Sequence, residues 1–553
     1  MKEFLEEIKE IIEKNENNDY SKILNKSEKL EYVLALSPVR SNIINWYSFK
    51  ENSSILELNG NYGEITGFLC QKANRVVTLE EDNRFAEIIE KRYKNEECLE
   101  VKNTSIYNEN INEKFDYVIV IGITEKLEDY IKYAKDHLNE NGVILLAINN
   151  KFGIKSFITC TNEYKLTNND NLTITKNKLD KMLDNQELNY KYYYPLPDYK
   201  LTNVIFTENY MPDLENISRD ITYKCGNVNF NEIQAYRELL KDNRDNFKFF
   251  ANSFLVEISK KELEDNSIKF ISYTNMRKDK YRIRTTIKNE YVEKTYVNEV
   301  SKKHIERVKK NIDLLNKLEI NTLDSYTQNE IISKFTTAQT YNKILLSTLK
   351  EEGIDKFIEK IIEFQDFLKQ KLETVKEIEQ NVFDKYEVEY EKEKIEKLTF
   401  VKNGLWDLTF QNCFYIDNNY YAYDQEWFEE NIPVEFIIYR SILYFNEIKH
   451  IISDEEIFSK LNIDTYYLEL FNKLDNILQT KIRKESMWKL HTKEESESKK
   501  YQKIKNENEN LKQYVKILEE ELANKTCEVQ RVTNSLSWKV TKPLRAIRRL
   551  GRK

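Results

Sequence analysis

At 553 residues the chain is too long for one core, so about three folded units are expected. A 40% hydrophobic share with 36 Tyr and 27 Phe is enough to build cores, while a net charge of −8 argues against a general nucleic-acid binder. Six scattered cysteines without a CxxC pair suit free thiols in a reducing cytosol, and the four histidines (His137, His304, His450, His491) show no metal-ligand spacing.

Residues 1–50 read as a helical lead-in, with Phe4, Leu5, Ile8, Ile11 and Ile12 at helical spacing. Over 51–220 short apolar runs alternate with amphipathic ones. Strands are predicted at Ser54–Leu58, Val76–Leu79, Tyr117–Ile121 and Val143–Ile148, and helices at Glu64–Gln71, Asn83–Tyr93 and Glu128–Asn139. That alternation predicts an α/β, Rossmann-like domain with a parallel, doubly wound sheet. The polar, Asn- and Tyr-rich stretch 160–220 is expected to add antiparallel strands and a lid.

A second, α+β domain is expected over 221–485. Strand-like runs at Asn252–Ile258, Tyr281–Ile287 and Tyr291–Tyr296 precede helices at Lys303–Leu318 and Ile354–Ile378, then a strand–loop–strand segment near 405–425. Over 490–537 Tyr501, Ile504, Asn508, Leu511, Val515, Leu518, Leu522, Lys525, Val529, Val532 and Leu536 step by alternating three and four. That is the a/d seam of a coiled coil, and it implies a homo-oligomer. The tail 538–553 is basic and amphipathic: Lys539, Lys542, Arg545, Arg548, Arg549, Arg552 and Lys553 interleave with Trp538, Leu544, Ile547 and Leu550. No run approaches ~18 uninterrupted apolar residues. A cytoplasmic protein is therefore expected, its tail resting on the anionic inner face of the membrane or on a partner enzyme.

The first candidate site is the turn after the first strand, Ile55-Leu56-Glu57-Leu58-Asn59-Gly60-Asn61-Tyr62-Gly63. A backbone that approaches a ligand closely there must adopt conformations most side chains resist, and Asn tolerates left-handed geometry best after Gly. Glu80 ends the second strand, where nucleotide-binding folds place the carboxylate that accepts ribose hydroxyls. With Leu36-Ser37-Pro38-Val39-Arg40, Val76-Val77-Thr78-Leu79-Glu80, Phe115-Asp116-Tyr117-Val118-Ile119 and Leu138-Asn139-Glu140-Asn141-Gly142-Val143, the region 35–160 resembles class I S-adenosylmethionine (SAM)-dependent methyltransferases. The resemblance implies that Glu57, Asn59, Gly60 and Gly63 border the cofactor, its methionine side against Glu57 and Gly63. It also implies that Glu80 holds the ribose and that Ser105 or Ile106 flanks the adenine.

The second candidate site is Trp406-Asp407-Leu408-Thr409-Phe410-Gln411-Asn412, which has the D-x-x-x-x-N spacing of a kinase catalytic loop, followed by Tyr423-Asp424-Gln425-Glu426-Trp427. Phosphoryl transfer needs a base beside the attacking hydroxyl and oxygen ligands for Mg²⁺. Asp407 is the candidate base, Asn412 and Asp424 the candidate metal ligands. Lys294 is the candidate partner of ATP phosphates, and Glu306 on the next helix its orienting group. Residues 225–480 thus resemble the kinase-like fold of protein kinases and small-molecule phosphotransferases.

The order methyltransferase, kinase-like domain, coiled coil and basic tail resembles the chain-terminating methyltransferase–kinases of bacterial O-antigen synthesis. The closing Asn534-Ser535-Leu536-Ser537-Trp538-Lys539 resembles tails of surface-polysaccharide glycosyltransferases. The resemblance implies a glycan or glycolipid acceptor and a glycosyltransferase partner. A scaffold with degenerate domains in a polysaccharide-synthesis complex is the alternative.

Overall fold

The computed structural model describes residues 2–15, 17–26, 30–108, 111–123, 126–158, 173–214, 216–217, 232–265 and 267–545. Cys160, Cys225 and the tail residues Ile547, Arg548, Arg549, Leu550, Arg552 and Lys553 lie outside that set, as does the smaller part of the stretch 160–220 expected to form antiparallel strands and a lid. One compact body reaches from the N-terminus to Leu490, and a second begins at His491.

The first body is organised by one sheet. Strands β1 (Ser54–Leu58), β2 (Arg75–Leu79), β3 (Leu99–Lys102), β4 (Phe115–Ile121) and β5 (Leu138–Asn150) pair in parallel in the order β3-β2-β1-β4-β5. Short β6 (Thr173–Ile174) pairs with the end of β5. Next to β5 lies β9 (Ser253–Ser259), antiparallel, and beyond it β7 (Asn189–Leu196), antiparallel to β9 and so parallel to β5. A parallel sheet whose last-made strand is inserted antiparallel beside the fifth is the class I methyltransferase arrangement.

Parallel strands buried on both faces need apolar residues at every position, which is why β1, β4 and β5 read as continuous runs. Alternate residues then feed two cores: Leu56, Leu58, Val77 and Leu79 enter one, Ile55 and Val76 the other. The tyrosine run of β7 splits in the same way, with Tyr192 and Tyr194 on one face and Tyr193 on the other. Each buried hydroxyl finds an acceptor; Tyr193 donates to Glu257 at 2.9 Å and Tyr192 to Asp180 at 2.7 Å.

The sheet continues. Strand β8 (Val204–Thr207) pairs antiparallel with β7, and β10 (Ile268–Tyr273) pairs with β8. From there β11 (Ile283–Lys288), β12 (Tyr291–Tyr296), β15 (Glu330–Lys334) and β14 (Asp324–Tyr326) follow as antiparallel neighbours. The helix Lys302–Lys317 crosses between β12 and β14. The remainder of the body is a mostly helical lobe. It is built on the helices Tyr341–Glu351, Ile354–Lys371, Val434–Leu443 and Thr465–Ile482, with β13 (Asn321–Thr322), β16 (Phe400–Val401), β17 (Cys413–Ile416), β18 (Asn419–Ala422) and β19 (Ile432–Pro433) in two small sheets.

Two sequence expectations are corrected. The run Asn252–Ile258, assigned to the second domain, is β9 and belongs to the first sheet. It pairs with β5 and β7. Strand β3 was not foreseen. The halves are also tied by side chains: Asn42 Nδ2 donates to Asn275 Oδ1 at 2.9 Å, and Arg282 Nη2 to Asn42 Oδ1 at 3.1 Å.

In the second body the helix Glu485–Asn534 has 50 residues, about 75 Å at about 1.5 Å per residue. Ile504, Leu511, Val515, Leu518, Leu522, Val529 and Val532 of the seam are exposed on it. Leu536 is not on the seam, because the helix stops at Asn534 and Ser535 caps a new one, Leu536–Val540. No helix among the described residues is long and apolar enough to cross a membrane.

The helical lobe holds a buried ion pair, Arg440 with Asp475, and Tyr444 also donates to Asp475 at 2.9 Å. Removing the carboxylate leaves the guanidinium buried without a counter-charge. Asp475→Ala is expected to cost about 3–5 kcal/mol in urea unfolding; a loss below about 1 kcal/mol contradicts this.

Candidate functional site

Strand β1 delivers the chain to the turn at its carboxyl end, the edge where open α/β sheets bind ligands. Asn59 (φ 63°), Asn61 (φ 48°) and Gly63 (φ 71°) all adopt left-handed geometry. Asparagine therefore carries, at two positions, a conformation that glycine adopts without strain. Asn59 is anchored by its amide to Leu79 O at 2.9 Å and by its side-chain oxygen, which accepts from Tyr130 OH at 3.1 Å. Gly60 sits so tightly that a Cβ there would come within 2.7 Å of Ile89 Cδ1 and Thr78 Cγ2.

Glu80, at the end of β2, is buried. It accepts from the Asn61 amide at 2.8 Å and the Asp82 amide at 3.0 Å. Burial pushes its carboxyl up to about 7, against those two hydrogen bonds. Glu57 is equally enclosed: Thr66 and Thr78 hydroxyls donate to its Oε2 at 2.7 and 2.8 Å, and burial pushes it up to about 7 too. Ser105 and Ile106 are buried just beyond β3, and Asn103 Nδ2 donates to the Glu80 carbonyl at 2.9 Å. The turn, the two carboxylates and the segment after β3 thus come from neighbouring strands β1, β2 and β3. Thr66, Thr78, Asn103 and Tyr130 were not singled out in the sequence, since a lone hydroxyl or amide carries no spacing signal. Asn150, at the end of β5, is structural: its Nδ2 donates to the Phe249 and Ala251 carbonyls, both at 2.7 Å.

The residues of the second candidate site converge only in part. Lys294, buried on β12, is ion-paired with Asp424 and lies 4.0 Å from Glu426. Asp424 itself has φ 59° and donates its amide to Asp324 Oδ2 at 2.8 Å. Burial pushes Asp407 up to about 6 and holds Lys294 below the usual amine range, although Glu426, Asp324 and Asp407 act on Lys294 in the opposite sense. Asn412 Nδ2 donates to the Asp407 carbonyl at 3.0 Å.

Glu306 is a correction. It faces solvent, pairs with Lys309 at 2.8 Å, and is not the group that orients Lys294. That place is taken by Glu426, which also accepts from His304 Nε2 at 2.8 Å and is ion-paired with Arg277. Burial alone would raise Glu426; Arg277, His304 and Lys294 hold it well below the ordinary range instead. Arg277 belongs to the β10–β11 connection, which is fastened to the far lobe. Lys278 N donates to Ile482 O at 2.8 Å and Lys484 N to Met276 O at 2.7 Å.

Two other features lie apart. A cavity of about 790 Å³ runs beside the helix Thr66–Cys70 and is lined by Phe68, Lys72, Tyr93, Arg282 and Arg284, not by Glu80 or Asn59–Asn61. Cys70, Glu96 and Cys98 bring ligand atoms within 4.8 Å of one another, a grouping the sequence spacing did not suggest. Burial, and then the neighbouring Cys98, push the Cys70 thiol up.

Strand order and turn together define the class I methyltransferase fold. Among solved structures the chain is similar to a TehB-like SAM-dependent methyltransferase from Corynebacterium glutamicum, at 11% identity over 40% of this chain and 88% of that one, TM-score 0.24. It is similar to a possible histamine N-methyltransferase from Thermotoga maritima, at 14% identity over 44% and 98%, TM-score 0.29. A third is the phosphoethanolamine N-methyltransferase 1 of Haemonchus contortus, at 10% identity over 48% and 50%, TM-score 0.28. At such identities and scores the fold assignment rests on the strand order of the chain itself. No family model and no curated protein matches the sequence.

Glu57 and Glu80 keep their protons to about pH 7 in the folded protein but ionise near about 4.3 when unfolded. The folded state therefore binds more protons between those values. Both groups thus lower stability as pH rises from about 4.5 to about 7, with no further change above. Urea unfolding between pH 5 and 8 is expected to show a shallower decline in Glu57→Gln/Glu80→Gln than in wild type; equal slopes contradict it.

Proposed function

We propose that this chain is a SAM-dependent methyltransferase whose cofactor lies over the turn Asn59–Gly63. The observation that carries the reading is Glu80: a buried carboxylate at the carboxyl end of β2, held against the turn by the Asn61 amide. The residues present suit the cofactor. Glu80 offers acceptors to the two ribose hydroxyls, Glu57 Oε1 makes no hydrogen bond among the described residues, and Ser105 and Ile106 border the position of the base. SAM supplies an electrophilic methyl group; the chain's part is to bind and orient it. Calorimetry with SAM is expected to give one site per chain. Glu80→Ala is expected to weaken binding by about 1–3 kcal/mol, the cost of a lost charge-assisted hydrogen bond. Absence of binding by folded wild type contradicts the proposal.

The second half is read as kinase-like. Its support is the order β10-β11-β12-β15-β14, one helix between β12 and β14, a lysine on the third strand paired with Asp424, and Asp407 five residues before Asn412. Lys294 would meet nucleotide phosphates, Asn412 and Asp424 would hold Mg²⁺, and Asp407 would serve as base. The fastened β10–β11 connection and the Arg277–Glu426 pair favour a domain that only tethers, the scaffold alternative. Melting with ATP and Mg²⁺ separates the two, since a ligand of the folded state raises the melting temperature. An enzyme shows a shift that Asp424→Ala abolishes, whereas a tether shows none.

The acceptor we infer is a surface glycan or glycolipid, supported by the order of domains. The exposed seam on Glu485–Asn534 supports self-association as a coiled coil, and the basic tail supports a site on a glycosyltransferase or an anionic cytoplasmic membrane surface.

A further inference from the structure

We propose that the cavity between the helices Lys302–Lys317 and Thr465–Ile482 binds a small aromatic anion with the chemistry of a nucleoside monophosphate. The cavity encloses about 510 Å³, within the ~300–1,000 Å³ usual for ligand sites. Its wall is aromatic and apolar: Trp406, Trp427 and Phe428 with Leu314, Leu478 and Ile482. The two indoles stack at 5.9 Å between centroids and 18° between planes. Trp427 is half-buried and already meets Trp406, His304 and Arg277, so the aromatic surface left for a planar ring is the exposed Phe428 and the exposed part of Trp427.

The charge around this wall is one-sided. Arg307, Lys310 and Lys481 line the cavity with no carboxylate partner among the described residues; Arg307 lies 5.7 Å from the Tyr281 ring centroid and Lys481 3.6 Å from that of Tyr386. The two carboxylates that also line it are engaged elsewhere. Glu426 is bound by Arg277 and His304, and Glu429 by Lys385 at 2.5 Å and by Tyr386. A ligand matching both features carries a flat π-face and a separate anionic group. A phosphate suits Arg307 and the lysines, through directed and point-charge contacts respectively. A bare inorganic anion would leave Phe428 uncovered, and a neutral aromatic would leave the three cations without an anionic partner.

Neither Lys294 nor Asp424 lines this cavity, nor does any residue of the turn Asn59–Gly63, and Glu426, 4.0 Å from Lys294, is the one group it shares with the second candidate site. The cavity also abuts the second candidate centre through the chain, since Trp406 directly precedes Asp407 and Trp427 directly follows Glu426. An occupant therefore bears on the backbone that sets both carboxylates. The inference depends on neither proposed activity.

The test is titration of the full chain with AMP, in excess EDTA, followed by calorimetry and tryptophan fluorescence. Saturable binding is expected, with adenosine and inorganic phosphate each at least tenfold weaker. Arg307 and Lys310 are exposed, so Arg307→Ala/Lys310→Ala is expected to melt like wild type and to bind AMP at least tenfold more weakly. Asp424→Ala and Glu80→Ala are expected to bind it normally. No saturable signal, equal binding of adenosine, or an unaffected Arg307→Ala/Lys310→Ala overturns the proposal. So does loss of AMP binding in Glu80→Ala, which would locate the nucleotide in the cofactor turn.

Discussion

Strand β9 enters the sheet antiparallel between β5 and β7, and every pairing from there to β14 is antiparallel. Up to β5 the strands are parallel, need crossover helices, and bury both faces. Beyond β9 each strand meets its neighbour by an antiparallel ladder, so the sheet can run on without a crossover at each step. The pairing of β8 with β10 carries the hydrogen bonding from one half to the other. Glu57 and Glu80 on β1 and β2 and Lys294 on β12 therefore sit on one frame, and the Asn42–Asn275–Arg282 contacts tie the lead-in to it.

Burial then decides how the charged groups behave. Glu57 and Glu80 have hydroxyl or amide donors but no cation beside them, and desolvation prevails. Glu426 is as deeply enclosed yet is held ionised, because Arg277, His304 and Lys294 surround it. The contrast follows from the partners alone: hydrogen bonds from neutral groups soften the cost of a buried carboxylate, and opposite charges reverse it. It leaves the first site two carboxyls that burial disposes to hold their protons, and the second a carboxylate already committed to its neighbours.

The central strands were legible because a strand buried on both faces is apolar over most of its length: Ile55-Leu56 and Val118-Ile119-Val120 are such runs, while Glu57 and Thr78 are polar exceptions bonded to each other. Strand β3, Leu99-Glu100-Val101-Lys102, was missed because it is a half-exposed edge with one neighbour and two charges in four residues. The run at β9 was recognised as a strand, but its place beside β5 was not, since that pairing spans about a hundred residues and leaves no local trace. The turn after β1 was legible from Asn59, Gly60 and Gly63, two of which adopt left-handed geometry, and its closeness to Glu80 from their spacing. The second cluster was not, because Glu306 satisfies the expected order along the chain while Glu426 satisfies the geometry. Asp324 and Arg277 carried no signal of their own.

The most direct test of the cofactor turn is amide hydrogen exchange of the intact chain with and without S-adenosylhomocysteine. Protection concentrated in residues 57–63, 80–82 and 103–106 is the result this account predicts. An exchange pattern unchanged there, or protection confined to the second half, would contradict it.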